Sequence, residues 1–180
     1  MTPAAAAGLV AAMAGEGELV ALRMARGCRC FAAVEGEEVS AYGWLSSGAE
    51  WIGEIRLEVK PEAGEVYVWN CLTLPSHRRR GMFRAVLVRI SSALKEEGVG
   101  RLWIASGGGG AEKALPDAGF RPVLQLGESP LGLARLRLLR MTAIPGADPG
   151  LVSAARRVLA GGGRPPGPSA LARRPGIRRH

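Results

Sequence analysis

The sequence predicts an α/β (α+β) domain, with a mixed, mostly antiparallel central sheet of about six to seven strands flanked by helices. Three observations carry this prediction. Between Glu18 and Leu74 the chain reads as short strand-like pieces separated by turn signals. From Met82 an amphipathic run follows, with Met82, Phe83, Val86, Leu87, Ile90 and Leu94 at helical spacing. After it come the apolar strand-like VGRLWIAS and, further on, two more strand-like runs across a turn.

Thr2 and Pro3 open an alanine-rich segment that reads as a short helix, with Thr2 a candidate N-cap. Gly15 and Gly17 end it. The pieces ELVALRMA, CRCFAAVEG, EVSAYGWLS, WIGEIRLEV and EVYVWNCLTL then read as successive strands. Breaks at Arg26-Gly27, Glu35-Gly36-Glu37, Ser47-Gly48 and Lys60 to Gly64 are short, which implies an antiparallel meander. The amphipathic helix stops at Lys95-Glu96-Glu97-Gly98, where a glycine suits the position after the last turn. GGGGAEKALPDAGF reads as a short helix interrupted by Pro116. FRPVLQL and LARLRLLRM read as a closing hairpin across Gly127 to Pro130. The expected division is a domain over 1–142 and a flexible Pro/Gly/Ala/Arg-rich tail over 143–180, with one short helical stretch at GLVSAARRVLA.

The formal net charge of +8 invites a nucleic-acid reading, but position matters more than total. From Thr142 onward there are seven arginines against the single acid Asp148, so six of the eight net charges lie there. A basic tail binds any polyanion weakly and in a salt-dependent way, and is poor evidence for a dedicated role. Cys28, Cys30 and Cys71 are odd in number and lack partners at metal-ligand spacing. Reduced thiols in a cytoplasmic protein without a metal are the expectation. The N-terminal apolar stretch has no positive region before it, and no run approaches the length of a membrane span.

The stretch LPSHRRRGMFR, residues 74–84, lies between the longest apolar strand and the best helix. A helix N-terminus exposes unpaired N–H groups and a partial positive charge, and phosphates bind there. A glycine in the first turn lets the ligand approach the backbone. The competing reading is a solvated arginine loop.

CLTLPSHRRRGMFRAVLVRI resembles the acetyl-CoA-binding motif of the GNAT N-acetyltransferase superfamily. Arg78-Arg79-Arg80-Gly81-Met82-Phe83 occupies the turn, the element order fits from about Glu18 to Met141, and AGF at 118–120 is similar to the Gly-Phe closing the family's last helix. The resemblance implies a GNAT-like fold in which VWNCLTL splays from its parallel neighbour RLWIA. Pantetheine would pair with main-chain groups of Leu72, Thr73 and Leu74. Arg78, Arg79, Arg80, Gly81, Met82, Phe83 and Arg84 would hold the pyrophosphate. An amine would then attack the thioester, with an N–H near Leu72 stabilising the oxyanion. The chain departs from the family at three places. Phe83 stands where a small residue is usual, the expected asparagine falls near Gly108, and the tyrosine that protonates the leaving thiolate falls near Leu115.

Candidates for the proton acceptor are Glu65, Glu54 and Tyr67, in or beside the strands bordering the cleft. Tyr67 and Trp69 share a face by alternation, with Asn70 on the other; they line a substrate pocket or are ordinary sheet aromatics. Cys71 is expected as a buried structural thiol, and His77 as an exposed loop residue touching a phosphate. The expected partners are acetyl-CoA and an amine acceptor; a homodimer is left open. Two other readings stand beside the enzyme: an acyl-CoA binder without transfer activity, and a nucleic-acid-associated protein acting through its tail.

Overall fold

The computed structural model describes residues 3–36, 38–52, 57–107, 110–130 and 137–160. Its centre is a four-stranded sheet in the order β1-β2-β5-β6. β1 (Arg29–Glu35), β2 (Glu38–Ser46) and β5 (Glu65–Thr73) run antiparallel to their neighbours, and β6 (Arg101–Ile104) runs parallel to β5. Two further hairpins, β3 (Glu50–Ile52) with β4 (Leu57–Val59), and β7 (Leu124–Pro130) with β8 (Arg137–Ala143), form separate two-stranded sheets. The fold class is the expected one. The strands are distributed over one sheet and two hairpins rather than a single sheet.

Helices cover both faces, as the unbroken burial of β2 after Glu38 requires. On one face α3 (Met82–Glu96) places Val86, Leu87, Ile90 and Leu94 against Ala41, Leu45, Val66 and Val68. α4 (Gly110–Asp117) adds Leu115, and Ala118 and Phe120 follow it onto the same core. Gly119, at φ 88°, lets the chain reverse so that the Phe120 N–H reaches the Leu115 carbonyl at 3.0 Å. The Gly-Phe pair is thus a helix stop that folds an aromatic ring under the helix.

The opposite face is covered by α1 (Pro3–Ala12) and α2 (Leu19–Ala25), with Leu9, Met13 and Val20 packed on Val39, Tyr42 and Trp44. Here the structure corrects the sequence reading, since ELVALRMA is helical and not a strand. Leu, Ala, Arg and Met are all strong helix formers, and Val20 and Arg23, three apart, are its buried residues. WIGEIRLEV likewise divides into β3 and β4. Gly127 to Pro130, expected as the turn, belongs to β7 and pairs with Arg140 to Arg137. Thr2 lies outside the described residues.

The expected flexible tail contains a packed helix, α5 (Pro149–Leu159). Asp148 caps it, its side chain accepting from the Leu151 N–H at 2.8 Å, and Pro149 is the first helical residue. Ala154, Ala155 and Val158 are buried, Val158 against Val59 and Tyr67. The Lys60 N–H donates to the Val158 carbonyl at 2.8 Å, and Arg157 pairs with Glu62 at 2.9 Å. A Gly/Ala/Arg-rich composition hid a three-residue apolar stripe sufficient to dock one helix; residues 161–180 lie outside the described set. Val158→Asp should lower the unfolding free energy by about 3 kcal/mol, measured by urea denaturation, because a carboxylate there has no partner.

Candidate functional site

β5 has two partners over only part of its length. Glu65 to Val68 pair with Arg101 to Ile104, after which β6 ends while β5 continues to Thr73. Residues 69–73 therefore border an open edge, with β2 on the other side. Within this stretch the β2–β5 register shifts, Trp44 facing Trp69 but Tyr42 facing Leu72. The extra residue makes a bulge in which Asn70 adopts φ 42°. Gly43 lies opposite, where a Cβ would stand 3.0 Å from Cys71 Sγ and 3.3 Å from Ile90 Cδ1. Glycine thus eases the close packing of β2 between the Cys71 side chain and α3.

Leu74 donates its N–H to the Ser40 carbonyl at 3.0 Å. In an antiparallel ladder bonded and non-bonded pairs alternate, so Leu72 also faces β2 and the main-chain groups of Thr73 turn to the open edge. Of the three positions expected to meet pantetheine, Thr73 is thus the one presented, and its carbonyl accepts from Arg78 Nε at 3.5 Å. The Thr73 hydroxyl is buried and has no hydrogen-bond partner among the described residues.

After β5 a short 3₁₀ turn, Pro75–His77, leads to Arg78, to Arg79 at φ 61° and to Gly81 at φ 77° before α3 begins. No side chain caps α3. The first helical N–H to find a main-chain acceptor is that of Ala85, on the Gly81 carbonyl at 2.9 Å, so the amides of Arg79 to Arg84 have none among the described residues. Such a row of donors is a ready anion site. The side chains divide by role. Met82 and Phe83 pack on the core, so the bulky Phe83 leaves the turn clear. Arg80 pairs with Glu35 at 3.0 Å, and Arg84 Nε donates to the Asp117 carbonyl at 3.1 Å, fastening α3 to the end of α4. Arg79 is exposed and meets no partner among the described residues. His77, expected in solvent, is buried, with Nδ1 2.8 Å from the Ser76 hydroxyl and Nε2 3.9 Å from Glu35.

The candidate bases fall elsewhere. Glu65 is buried at the start of β5, roughly 16 Å before Asn70 at the usual strand rise. It is tied to Arg101, to Trp103 Nε1 at 2.8 Å and to the Glu62 N–H at 3.3 Å, so its acceptor capacity is spent on structure. Tyr67 is buried against Val59 and Val158 under α5, which makes it a core aromatic. Glu54 lies outside the described residues, as does Gly108. Leu115 is partly buried against the core and carries no hydroxyl.

A different constellation occupies the bulge. Asn70, expected on the face opposite Trp69, is turned by the bulge toward α1 and α2, where Nδ2 donates to Glu16 Oε2 at 3.0 Å. Arg23 Nη2 donates to the same oxygen at 2.9 Å. The guanidinium is only 6% exposed and lies 5.1 Å from the Trp44 ring and 4.6 Å from the Trp69 ring. Cation–π contact and one carboxylate compensate its burial. The indole N–H groups of Trp44 and Trp69 are buried without acceptors among the described residues. An asparagine inside the apolar EVYVWNCLTL was the available signal for this cluster.

Three titrating groups line the same region. Burial raises Cys30 from 9.0 to about 12 and, with the neighbouring Cys30, raises Cys71 from 9.0 to about 12. Burial and the Glu16 charge raise Tyr42 from 10.0 to about 12. The Cys71 thiol is thus a poor nucleophile at neutral pH. The unfolded chain releases these protons first, so the native state holds more protons between about pH 9 and 12. Stability should be complete below pH 9 and fall as pH rises through that window, and both thiols should label slowly with iodoacetamide at pH 8 unless urea is added. Rapid native-state labelling of Cys71 would contradict this.

No protein-family model matches the chain, and no curated protein matches it in sequence. Solved structures do match. A GNAT family acetyltransferase from Brucella melitensis, in complex with acetyl-CoA, aligns with TM-score 0.50 and 15% identity over 83% of this chain and 88% of that one. An aminoglycoside acetyltransferase from an uncultured soil metagenomic sample aligns at TM-score 0.46 and 16% identity, over 73% and 95% of the two chains. An aminoglycoside N-acetyltransferase in complex with CoA aligns at TM-score 0.45 and 15% identity, over 62% and 80%. At these identities the likeness speaks to architecture, and the chain has the fold of the GNAT acetyltransferases.

Proposed function

We propose that the chain is an acetyl-CoA-dependent N-acetyltransferase acting on a primary amine of a small molecule or peptide. One observation carries the reading: the uncapped amides of Arg79 to Arg84 follow directly on the open edge of β5. The fold is that of a Brucella melitensis acetyltransferase in complex with acetyl-CoA, which agrees with it.

The residues present suit the cosubstrate. The amides and the free Arg79 guanidinium offer charge-assisted donors to a pyrophosphate. Gly81 has nothing within 4 Å of where a Cβ would stand, leaving the turn open to an approaching phosphate. A buried hydroxyl without a partner costs about 1–3 kcal/mol, and the Thr73 hydroxyl would recover this by meeting an amide of the pantetheine arm. The main-chain groups of Thr73 would extend the sheet by one strand's worth of hydrogen bonds. An amine nitrogen then attacks the thioester carbonyl, the C–S bond breaks, and CoA departs as a thiolate. With Leu115 in the core, solvent supplies the proton to that thiolate.

Calorimetry with acetyl-CoA, CoA and buffer tests the reading. The wild type should bind both nucleotides. Arg79→Glu should weaken binding about tenfold or more, since one charge-assisted contact is replaced by repulsion. Gly81→Trp, which fills the turn, should abolish binding. No binding by the wild type would sink the reading. Thiol release from acetyl-CoA with an amine panel then separates a transferase from a binder without transfer activity.

A further inference from the structure

The Glu16–Asn70–Arg23 cluster has more acceptor capacity than its internal bonds use. Glu16 Oε2 takes both hydrogen bonds, from Arg23 at 2.9 Å and Asn70 at 3.0 Å, and no donor among the described residues reaches Oε1. The Asn70 amide orientation follows from chemistry, since a carboxylate only accepts and the NH2 group must face it. Asn70 Oδ1 is therefore an acceptor, and it too meets no donor among the described residues. The Glu16 side chain is 44% exposed, while its Arg23 partner is 8% exposed. Two open acceptors thus stand side by side at the point where β5 has parted from β6.

The cluster is also held rigidly. Glu16 ends a 3₁₀ turn whose first residue, Ala14, sits at φ 46°. Gly17 follows, and a Cβ there would lie 2.6 Å from the Val10 carbonyl oxygen. Arg23 is fixed by two indole rings and by Met13 Sδ at 3.9 Å. Asn70 is fixed by the bulge itself. A strained turn and a bulge converging on one carboxylate mark a site held in a set geometry. Among the described residues, Glu16 is the one carboxylate bonded to residues 69–73.

We propose that Glu16 and Asn70 form the amine-acceptor site, Glu16 Oε1 and Asn70 Oδ1 receiving the N–H groups of a primary amine and Glu16 taking the proton the amine sheds. The assignment rests on the acetyltransferase reading above. Arg23 is a positioning residue. Its charge balances Glu16, so the site is neutral overall, and the guanidinium offsets the carboxylate's preference for the ammonium form of the amine. As the N–C bond forms, the nitrogen proton passes to Glu16 Oε1, the thioester C–S bond breaks, and the electron pair leaves with sulfur. The carboxylate then returns its proton to water.

The experiment follows thiol release from acetyl-CoA by wild type, Glu16→Gln, Glu16→Ala and Asn70→Ser. The amines are kanamycin, a tripeptide with a free N-terminus, and 2,2,2-trifluoroethylamine, a weakly basic primary amine that is mostly unprotonated at neutral pH. Calorimetric affinity for CoA should stay within about twofold in all variants. Glu16→Gln should lower kcat for kanamycin or the tripeptide about 100-fold or more, as loss of a general base does, and lower it far less for trifluoroethylamine, whose attacking nitrogen sheds its proton readily. Sodium formate should restore turnover to Glu16→Ala. Asn70→Ser should raise the amine KM with a smaller change in kcat. Wild-type turnover by Glu16→Gln with every amine, or equal losses for kanamycin and trifluoroethylamine, would overturn the assignment alone. Should the Glu16 variants fail to fold, an unchanged amine KM in Asn70→Ser overturns it. A wild type that binds CoA but acetylates none of the amines removes the transferase reading and the assignment together; one that binds no CoA removes the cosubstrate site as well.

Discussion

The rest of the structure depends on β5 losing its parallel partner at Val68 while keeping β2 to its end. A strand in mid-sheet has its backbone satisfied on both sides; one released on one side keeps its rigidity and gains a row of unpaired donors and acceptors. The bulge at Asn70 sits in this half-released stretch, where the extra residue costs fewest ladder bonds. From that one geometry follow the open edge at Thr73, the entry into the α3 turn, and the rotation of Asn70 toward the helices that carry Glu16 and Arg23. Gly43 and the α3 core hold it in place, because a side chain at Gly43 would press on Cys71, Ile90 and Val86.

Electrostatics divides the molecule's arginines into three uses. Arg23, Arg80, Arg84, Arg101 and Arg157 are structural: each meets a carboxylate or carbonyl and locks two elements together. Arg78 lies against the Thr73 carbonyl, half structural and half available. Arg79 alone of the turn arginines has no partner among the described residues, and the run of three therefore carries less free charge than its letters suggest. What remains to attract an anion is mostly backbone: a row of amides whose direction is fixed by the helix, with one mobile guanidinium beside it.

The parts legible in the sequence were those written in local pattern. β2 and β5 are short apolar runs rich in β-branched and aromatic residues and bounded by turn signals, α3 repeats its apolar residues at helical spacing, and the Arg-Gly turn announces a helix mouth. The parts that were not legible depend on partners far away in sequence. ELVALRMA suits a helix or a strand by hydrophobicity, and only the sheet face that receives Val20 and Arg23 decides between them. Glu65 has the right residue type beside the right strand, yet Arg101 and Trp103 claim it from β6. Glu16 and Asn70 are 54 residues apart, and nothing local indicates that they meet. Even so, Asn70 was a polar residue in a buried run with a side chain that tolerates positive φ, a conflict between neighbourhood and identity of the kind that functional sites produce.

The docking of α5 carries a consequence for how the chain is made. Val158 covers Tyr67 and Val59, and its carbonyl receives the Lys60 N–H, so the beginning of the central strand is sealed by one of the last helices to be synthesised. Contacts this remote in sequence are slow to form, since a long loop must close before they give any return. On a ribosome the sheet and α3 can assemble early, while one end of β5 waits with a tyrosine and a valine uncovered until residue 159 has emerged. The late helix is then a closing step: it covers the start of β5 only after the strand's other end, with its open edge, has been free to form.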